Sequence, residues 1–261
     1  MKSNNKMELR REKILELIHR APVTTISELA EFFSVSTETI RKDIEFLDEQ
    51  DLVIRIHGGV APKEHNSNET LFADRSTHNL VQKQRIAQAA FHMIKPGDSI
   101  ILESGTTVQQ LTELLAGDKE LLKTLVIVTM SFRIMEILQE SSYDNVFFLG
   151  GKVRQDDFMT FGHYTVSMLQ NFHVDKAFIS CAGISADLTI TDYFDEEVML
   201  RRQILASSDK AILLADSSKM NKTTIFSVCN LQEVYRLISD KDCPKKMTDL
   251  FDQEQISYRL V

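Results

Sequence analysis

No apolar run in this chain of 261 residues reaches the ~18 residues that a membrane-spanning helix needs, so no membrane partner is expected. The opening Met1-Lys2-Ser3-Asn4-Asn5-Lys6 leads into a charged segment without an apolar signal core, which argues against secretion and for a cytoplasmic protein. Cysteine is scarce: Cys181, Cys229 and Cys243 lie far apart. Three scattered thiols fit a reduced cytosol better than a disulfide framework, and they lack metal-ligand spacing. No cofactor is expected either. An excess of positive charge is also missing, with 30 Lys and Arg against 38 Asp and Glu and a net charge of −8. Residues 1–65 do not differ, carrying 10 basic against 12 acidic side chains. The global electrostatic footprint of a nucleic-acid binder is absent, so any DNA contact must come from local placement. The chain shows no internal repeat and no low-complexity tract. What it does have is ordinary for a globular protein, 43% hydrophobic and 26% charged residues, with length enough for two domains.

Apolar spacing divides the first 61 residues into three helices and a hairpin. Ile14, Leu15, Leu17 and Ile18 form a stripe in a helix over residues 7–20, which Pro22 stops. A second helix is predicted over 26–33, with Thr25 or Ser27 as cap. Ser36 or Thr37 caps a third, through about Gln50, in which Ile40, Ile44 and Leu47 share one face. Leu52 to His57 reads as a β-segment, and Gly58-Gly59 allows a tight turn and a return strand. This order is that of a winged helix-turn-helix. Residues 62–80 are polar and weakly periodic, and are expected to form a linker. From 81 to 261, short apolar strands such as Ile100-Ile101-Leu102 alternate with helical stretches. That rhythm predicts an α/β domain with a mainly parallel sheet and helices on its faces.

On the third helix, the ~100° step per residue sets Glu38 and Lys42 opposite the core stripe, with Thr39 and Arg41 on the flanks. Ser36, Thr37, Glu38, Thr39, Arg41 and Lys42 are therefore offered near the helix start, where a recognition helix meets the major groove of an operator. Arg41 can pair bidentately with guanine or phosphate, whereas Lys42 acts as a point charge. Arg55 and His57 on the wing would add backbone contacts. A solvated charged face explains any single helix of this kind equally well. The whole string is more specific. Ile26-Ser27-Glu28-Leu29-Ala30, Val35 to Asp43 and Arg55-Ile56-His57-Gly58-Gly59 resemble the amino-terminal signature of the DeoR family of bacterial regulators, over nearly all of residues 8–61. The resemblance implies that Ser36–Lys42 reads double-stranded DNA. Lys42 stands where the family more often has Arg.

In the second domain, Leu102-Glu103-Ser104-Gly105-Thr106-Thr107 lies between a strand and a helix. Glycine lets a backbone approach an anion, and amides at a helix start present donors and positive partial charge to it. A plain strand-to-helix turn explains the same string. Other strand ends add Thr129-Met130-Ser131, Gly150-Gly151-Lys152 with Arg154, and Asp216-Ser217-Ser218-Lys219. Lys152 or Lys219 would suit a phosphate beside 104–107, although each alone reads as a surface charge. The order of these pieces resembles the carboxy-terminal sensor of the same family, which is similar in fold to ribose-5-phosphate isomerases and glucosamine-6-phosphate deaminases. The resemblance implies a phosphorylated sugar or related effector, with 104–107 as phosphate loop and Thr129, Ser131, Gly150, Gly151, Lys152 and Lys219 around it. Glu103 and Met130 depart from the Asp and Asn usual in the family, which implies an effector different from the commonest sugars. Asp192, Asp195, Glu196 and Glu197 precede or open a helix; Asp192 and Glu197 are candidate sugar ligands, while carboxylates there also simply favour the helix dipole.

The expected function is a repressor of carbohydrate-metabolism genes acting as a homodimer or homotetramer, whose paired recognition helices match half-sites about one helical turn apart. The alternative is a sugar-phosphate isomerase or deaminase with a DNA-binding appendage. That chemistry needs a positioned acid and base, and the seven histidines fall near no catalytic string. A third possibility, an interaction scaffold, predicts no salt-sensitive DNA binding.

Overall fold

The computed structural model describes residues 2–20, 24–50, 52–56, 59–62, 72–154 and 157–261. The chain divides into two compact units, Met1–Glu69 and Thr70–Val261.

In the first unit, α1 (Lys2–Arg20) is followed by β1 (Thr24–Thr25), α2 (Ile26–Phe33), α3 (Thr37–Glu49), β2 (Val53–Ile56) and β3 (Gly59–Pro62). The three helices enclose Ile14, Ile18, Leu29, Ile40, Ile44 and Leu47, none more than 2% exposed, and Val53 and Val60 of the sheet close that core. Capping fixes the ends as the sequence predicts. Thr25 Oγ1 accepts from the Glu28 amide while the Glu28 carboxylate accepts from the Thr25 amide, a complete capping box on α2. Ser34 ends α2 in the left-handed region, at φ 52°, and Ser36 Oγ then accepts from the Thr39 amide to start α3. β3 pairs antiparallel with both β1 and β2, which is the sheet of a winged helix-turn-helix.

The second unit opens with α4 (Phe72–Thr77) and α5 (Leu80–Phe91). It continues through β4 (Ser99–Leu102), α6 (Thr106–Gly117), α7 (Lys119–Leu122), β5 (Val126–Thr129), α8 (Phe132–Glu140) and β6 (Val146–Phe148). A hairpin of β7 (Lys152–Arg154) and β8 (Met159–Phe161) precedes α9 (His163–Leu169), β9 (Val174–Ile179), β10 (Gly183–Ile184), β11 (Thr189–Asp192) and α10 (Asp195–Ala206). The chain closes with β12 (Ser208–Leu214), β13 (Phe226–Asn230), β14 (Arg236–Ser239), α11 (Lys245–Gln253) and β15 (Tyr258–Leu260). Seven strands form a parallel sheet in the order β15-β14-β12-β9-β4-β5-β6. Alternate residues serve opposite faces: Ile101, Val128, Ile179 and Leu213 enter one core, and Ile100, Leu102, Ile127, Phe178, Ile212 and Leu214 the other. This is why the strands read as unbroken apolar runs.

Two features depart from the expected plan. The antiparallel sheet β10-β11-β13 and the β7-β8 hairpin stand outside the parallel sheet. Within the stretch read as a linker, 72–77 is a helix whose Phe72 is 5% exposed and packs edge-on against Phe158. One buried aromatic anchors six residues too few to show a period.

Candidate functional site

The outward face of α3 carries Thr37, Glu38, Arg41 and Lys42, all exposed, with the inward face filled by Ile40, Ile44 and Leu47. Glu38 and Arg41 form an exposed ion pair at 3.5 Å with their side chains 66% and 61% exposed, so solvent competes strongly for both. Ser36 and Thr39 share a hydroxyl–hydroxyl hydrogen bond of 2.8 Å that secures the first turn. Arg55 is a β2 residue paired with Val60, and His57 lies outside the described residues. Sequence reasoning missed Asp43. Its side chain turns inward from α3, 1% exposed, and accepts from Arg10 Nε at 2.5 Å and Arg11 Nε at 2.9 Å. The guanidinium of Arg11 also stacks on Phe46, 3.7 Å from its ring centre. These two arginines clamp α1 to α3. The outer face of α3 is held rigidly and left open.

In the second unit a cavity of about 520 Å³ lies at the carboxyl ends of β4, β9 and β12, where an open α/β sheet presents its loops. Gly105, Thr106 and Thr107 line it after β4, Ser180 and Cys181 after β9, and Asp216, Ser218 and Lys219 after β12. Gly105 is required by close approach: a Cβ there would stand 2.7 Å from Ser180 Oγ. Its absence lets the first turn of α6 abut the cavity with Thr106 and Thr107 nearly buried. The remaining wall comes from the region read as linker and from the helix after it, through Arg75, Thr77, His78 and Lys83, with Lys222 on the far side. The signal for Lys83 was present in the sequence. It shares a helical stripe with Ile86, Ala87 and Ala90, so a lysine sits in a core-facing position.

Basic groups dominate this wall. Burial pushes the Lys83 ammonium down to about 8, Asp216 opposes that shift, and Lys219 and Arg75 add to it. Burial alone would raise the Asp216 carboxyl. The Ser218 hydroxyl and amide, the charge of Lys219 and a 3.0 Å hydrogen bond from Asn79 instead hold it below the usual carboxylate range. Burial raises the Cys181 thiol to about 11, which leaves it protonated and a poor nucleophile.

Of the residues singled out in the sequence, the structure brings Gly105, Thr106, Thr107 and Lys219 together on the cavity. Ser104 lies just beneath, its hydroxyl donating to Asp157 O at 3.2 Å. The others are placed elsewhere. Thr129 Oγ1 donates to Leu102 O at 2.7 Å, tying two strand ends together, and Ser131 caps α8. Gly150, Gly151 and Lys152 form the turn into β7; a Cβ on Gly151 would fall 2.0 Å from Thr165 Oγ1, so this glycine serves packing, and Lys152 is exposed. Met130 is fully buried in the core. Asp192 and Glu197 do not line the cavity. Both pair with Arg201, Glu197 at 3.2 Å, and Glu197 also meets Arg154. Arg201 reaches Glu103 as well, Nε to Oε1 at 2.7 Å, and the other Glu103 oxygen accepts from the Ser180 amide at 2.6 Å. Burial raises the Glu103 carboxyl, while Arg201 and Ser180 oppose that rise. A carboxylate cluster legible as sugar-binding is thus engaged by an arginine that sequence spacing could not pair with it.

A helix with an exposed polar face in one unit, and a cavity walled by cations in the other, are the features of a DNA-binding regulator with a separate sensing unit. Residues 10–65 match the DeoR-like helix-turn-helix domain and residues 78–241 the DeoR C terminal sensor domain. The chain belongs to the DeoR family of transcriptional regulators. It is 32% identical to the HTH-type transcriptional regulator YulB of Bacillus subtilis, over 88% of each chain. To the glycerol-3-phosphate regulon repressor of Haemophilus influenzae it is 30% identical, over 96% of this chain and 95% of that one. A putative aga operon transcriptional repressor of Escherichia coli O157:H7 is 27% identical, over 90% and 87%. Among solved structures, the ribose 5-phosphate isomerase A of Methanocaldococcus jannaschii superposes with a TM-score of 0.40 at 18% identity, covering 54% of this chain and 55% of that one. Among the described residues no helix is long and apolar enough to cross a membrane.

Proposed function

We propose that the protein is a cytoplasmic repressor of carbohydrate-metabolism genes that is released from its operator by a phosphorylated sugar bound in the cavity of the second unit. The observation that carries this reading is the company kept by the 104–107 turn. The start of α6, with Thr106 and Thr107, and Lys219 line one half-open cavity walled by further cations, in a chain whose net charge is −8. Such a space selects an anion. A volume of about 520 Å³ suits a small metabolite. The names of the relatives, a glycerol-3-phosphate regulon repressor among them, agree with a phosphorylated carbohydrate.

The same cavity senses without turning its ligand over. Asp216, the carboxylate on its wall, is occupied by Asn79 and Ser218, and Glu103 is held by Ser180 and Arg201. Neither is positioned as a free base. Thr37, Glu38, Arg41 and Lys42 read the operator, and two copies of the chain, as a homodimer or within a homotetramer, present two such faces to successive half-sites. The test is a gel shift on the operator region at two salt concentrations, followed by titration with a panel of sugar phosphates. Loss of the complex with salt and its release by one sugar phosphate are expected. A chain that binds no DNA at low salt, or that turns over the panel while Arg41→Ala leaves turnover intact, would overturn the reading.

A further inference from the structure

We infer that Lys83 is a second anion contact of this cavity and that it fastens a bound ligand to the carboxyl end of α4, the first described element of the sensing unit. The inference rests on the anion-binding reading above. Lys83 is 4% exposed, and a buried ammonium is costly unless its donors are satisfied. Its Nζ donates to the carbonyl of Arg75 and, at 2.8 Å, to that of His78. Both carbonyls belong to the end of α4 and the turn after it. An ammonium has three N–H groups, so one remains, and Lys83 stands on the cavity wall.

The charges around Lys83 show what that donor lacks. Arg75, paired with Asp157 at 2.6 Å, and His78 lie on the α4 side, Lys219 and Asp216 on the side of the turn after β12, Lys222 adds a further cation to the wall, and Thr106 and Thr107 offer no charge from α6. Asp216 is already shared with Asn79, Ser218 and Lys219. A dianion placed between the start of α6 and Lys83 supplies the missing counter-charge. It also keeps the ammonium protonated, and so strengthens both bonds to the α4 carbonyls.

Helix α4 also borders a second cavity, of about 310 Å³, through Phe72 and Ser76, and is held to the body of the unit by an Arg75–Asp157 ion pair of 2.6 Å and by Phe72 against Phe158. A ligand that tightens the Lys83 bonds to the end of α4 favours this position of the helix by as much as it binds it better than any other.

The experiment uses the full chain with lysine 13C-labelled at Cε, titrated with sodium sulfate, which stays dianionic throughout the range of lysine ionisation. One lysine signal is expected to titrate near 8, to vanish in Lys83→Met, and to titrate at higher pH once sulfate is present. Lys83→Met should weaken sulfate binding about tenfold, the loss of one charge-assisted hydrogen bond. Hydrogen exchange over residues 76–83 should slow with sulfate in the wild type and not in this variant at equal occupancy. If Lys83→Met does not fold, Lys83→Arg assigns the signal, and the sulfate-dependent shift in the wild type decides. Equal binding by wild type and Lys83→Met, or a lysine signal that sulfate leaves in place, overturns the inference. Loss of binding in Lys219→Ala beside either of those results would leave the anion reading standing. A wild-type protein that binds neither sulfate nor any sugar phosphate removes both.

Discussion

At position 43 helix α3 carries a carboxylate that faces its own core and binds two arginines. Asp43 is enclosed and shared by two arginines, each partly exposed. Replacing it with alanine strands both guanidinium groups against the core and removes two charge-assisted bonds. Asp43→Ala should destabilise the first unit by about 3 kcal/mol, read as a lower urea midpoint with an unchanged slope. Lys83 gives the corresponding prediction in the second unit, where its ammonium sits near 8 against an ordinary 10.5. Below 8 both the folded and unfolded chains hold this proton. Between 8 and 10.5 the unfolded chain holds it and the folded chain has released it, so stability rises with pH across that window. The melting temperature of the wild type should rise relative to that of Lys83→Met from pH 8 to pH 10.5. A constant difference would mean that the ammonium is not penalised by burial.

Helices were legible where two signals coincided. In α2 and α3 a capping side chain and an i, i+4 apolar spacing agree, and both begin where the sequence put them. Ser36→Ala removes one of those signals and should cost about 1 kcal/mol, seen by urea unfolding of the first unit. The parallel strands were legible because burial on both faces leaves runs such as Ile100-Ile101-Leu102. Shorter pieces escaped. β10 has two residues and β7 and β8 three each, and no period can be read from so few. Helix α4 escaped for the same reason, and with it the Arg75 and His78 wall of the cavity. The turn at 104–107 was visible because one strand, one glycine and one helix start follow in order. The pairing of Arg201 with Glu103, Asp192 and Glu197 was not, since it joins residues far apart in the chain through folding alone.

For the whole molecule the charge balance sets the terms of binding. A net −8 repels a duplex at long range, so attraction must come from the few cations that α3 and its surroundings place at the surface. The logarithm of operator affinity should fall linearly with that of salt concentration, and Arg41→Ala should reduce the slope by about one. Glu38→Gln should act in the opposite sense. It removes a carboxylate from the face proposed to meet DNA and frees Arg41 from a 3.5 Å pair, so affinity for arbitrary sequences should rise while preference for the operator narrows. Fluorescence anisotropy on specific and scrambled duplexes separates the two effects.

The clamp at Asp43 also divides labour along α3 in a way that can be exploited. Because the buried residues of α3 are Ile40, Asp43, Ile44 and Leu47, with Phe46 held by Arg11, the exposed residues at 37, 38, 41 and 42 lie outside its core contacts. A library randomised at those four positions should retain folded members at high frequency, and on the proposed reading of the α3 face, selection from it against altered promoters reprograms target choice without touching the second unit.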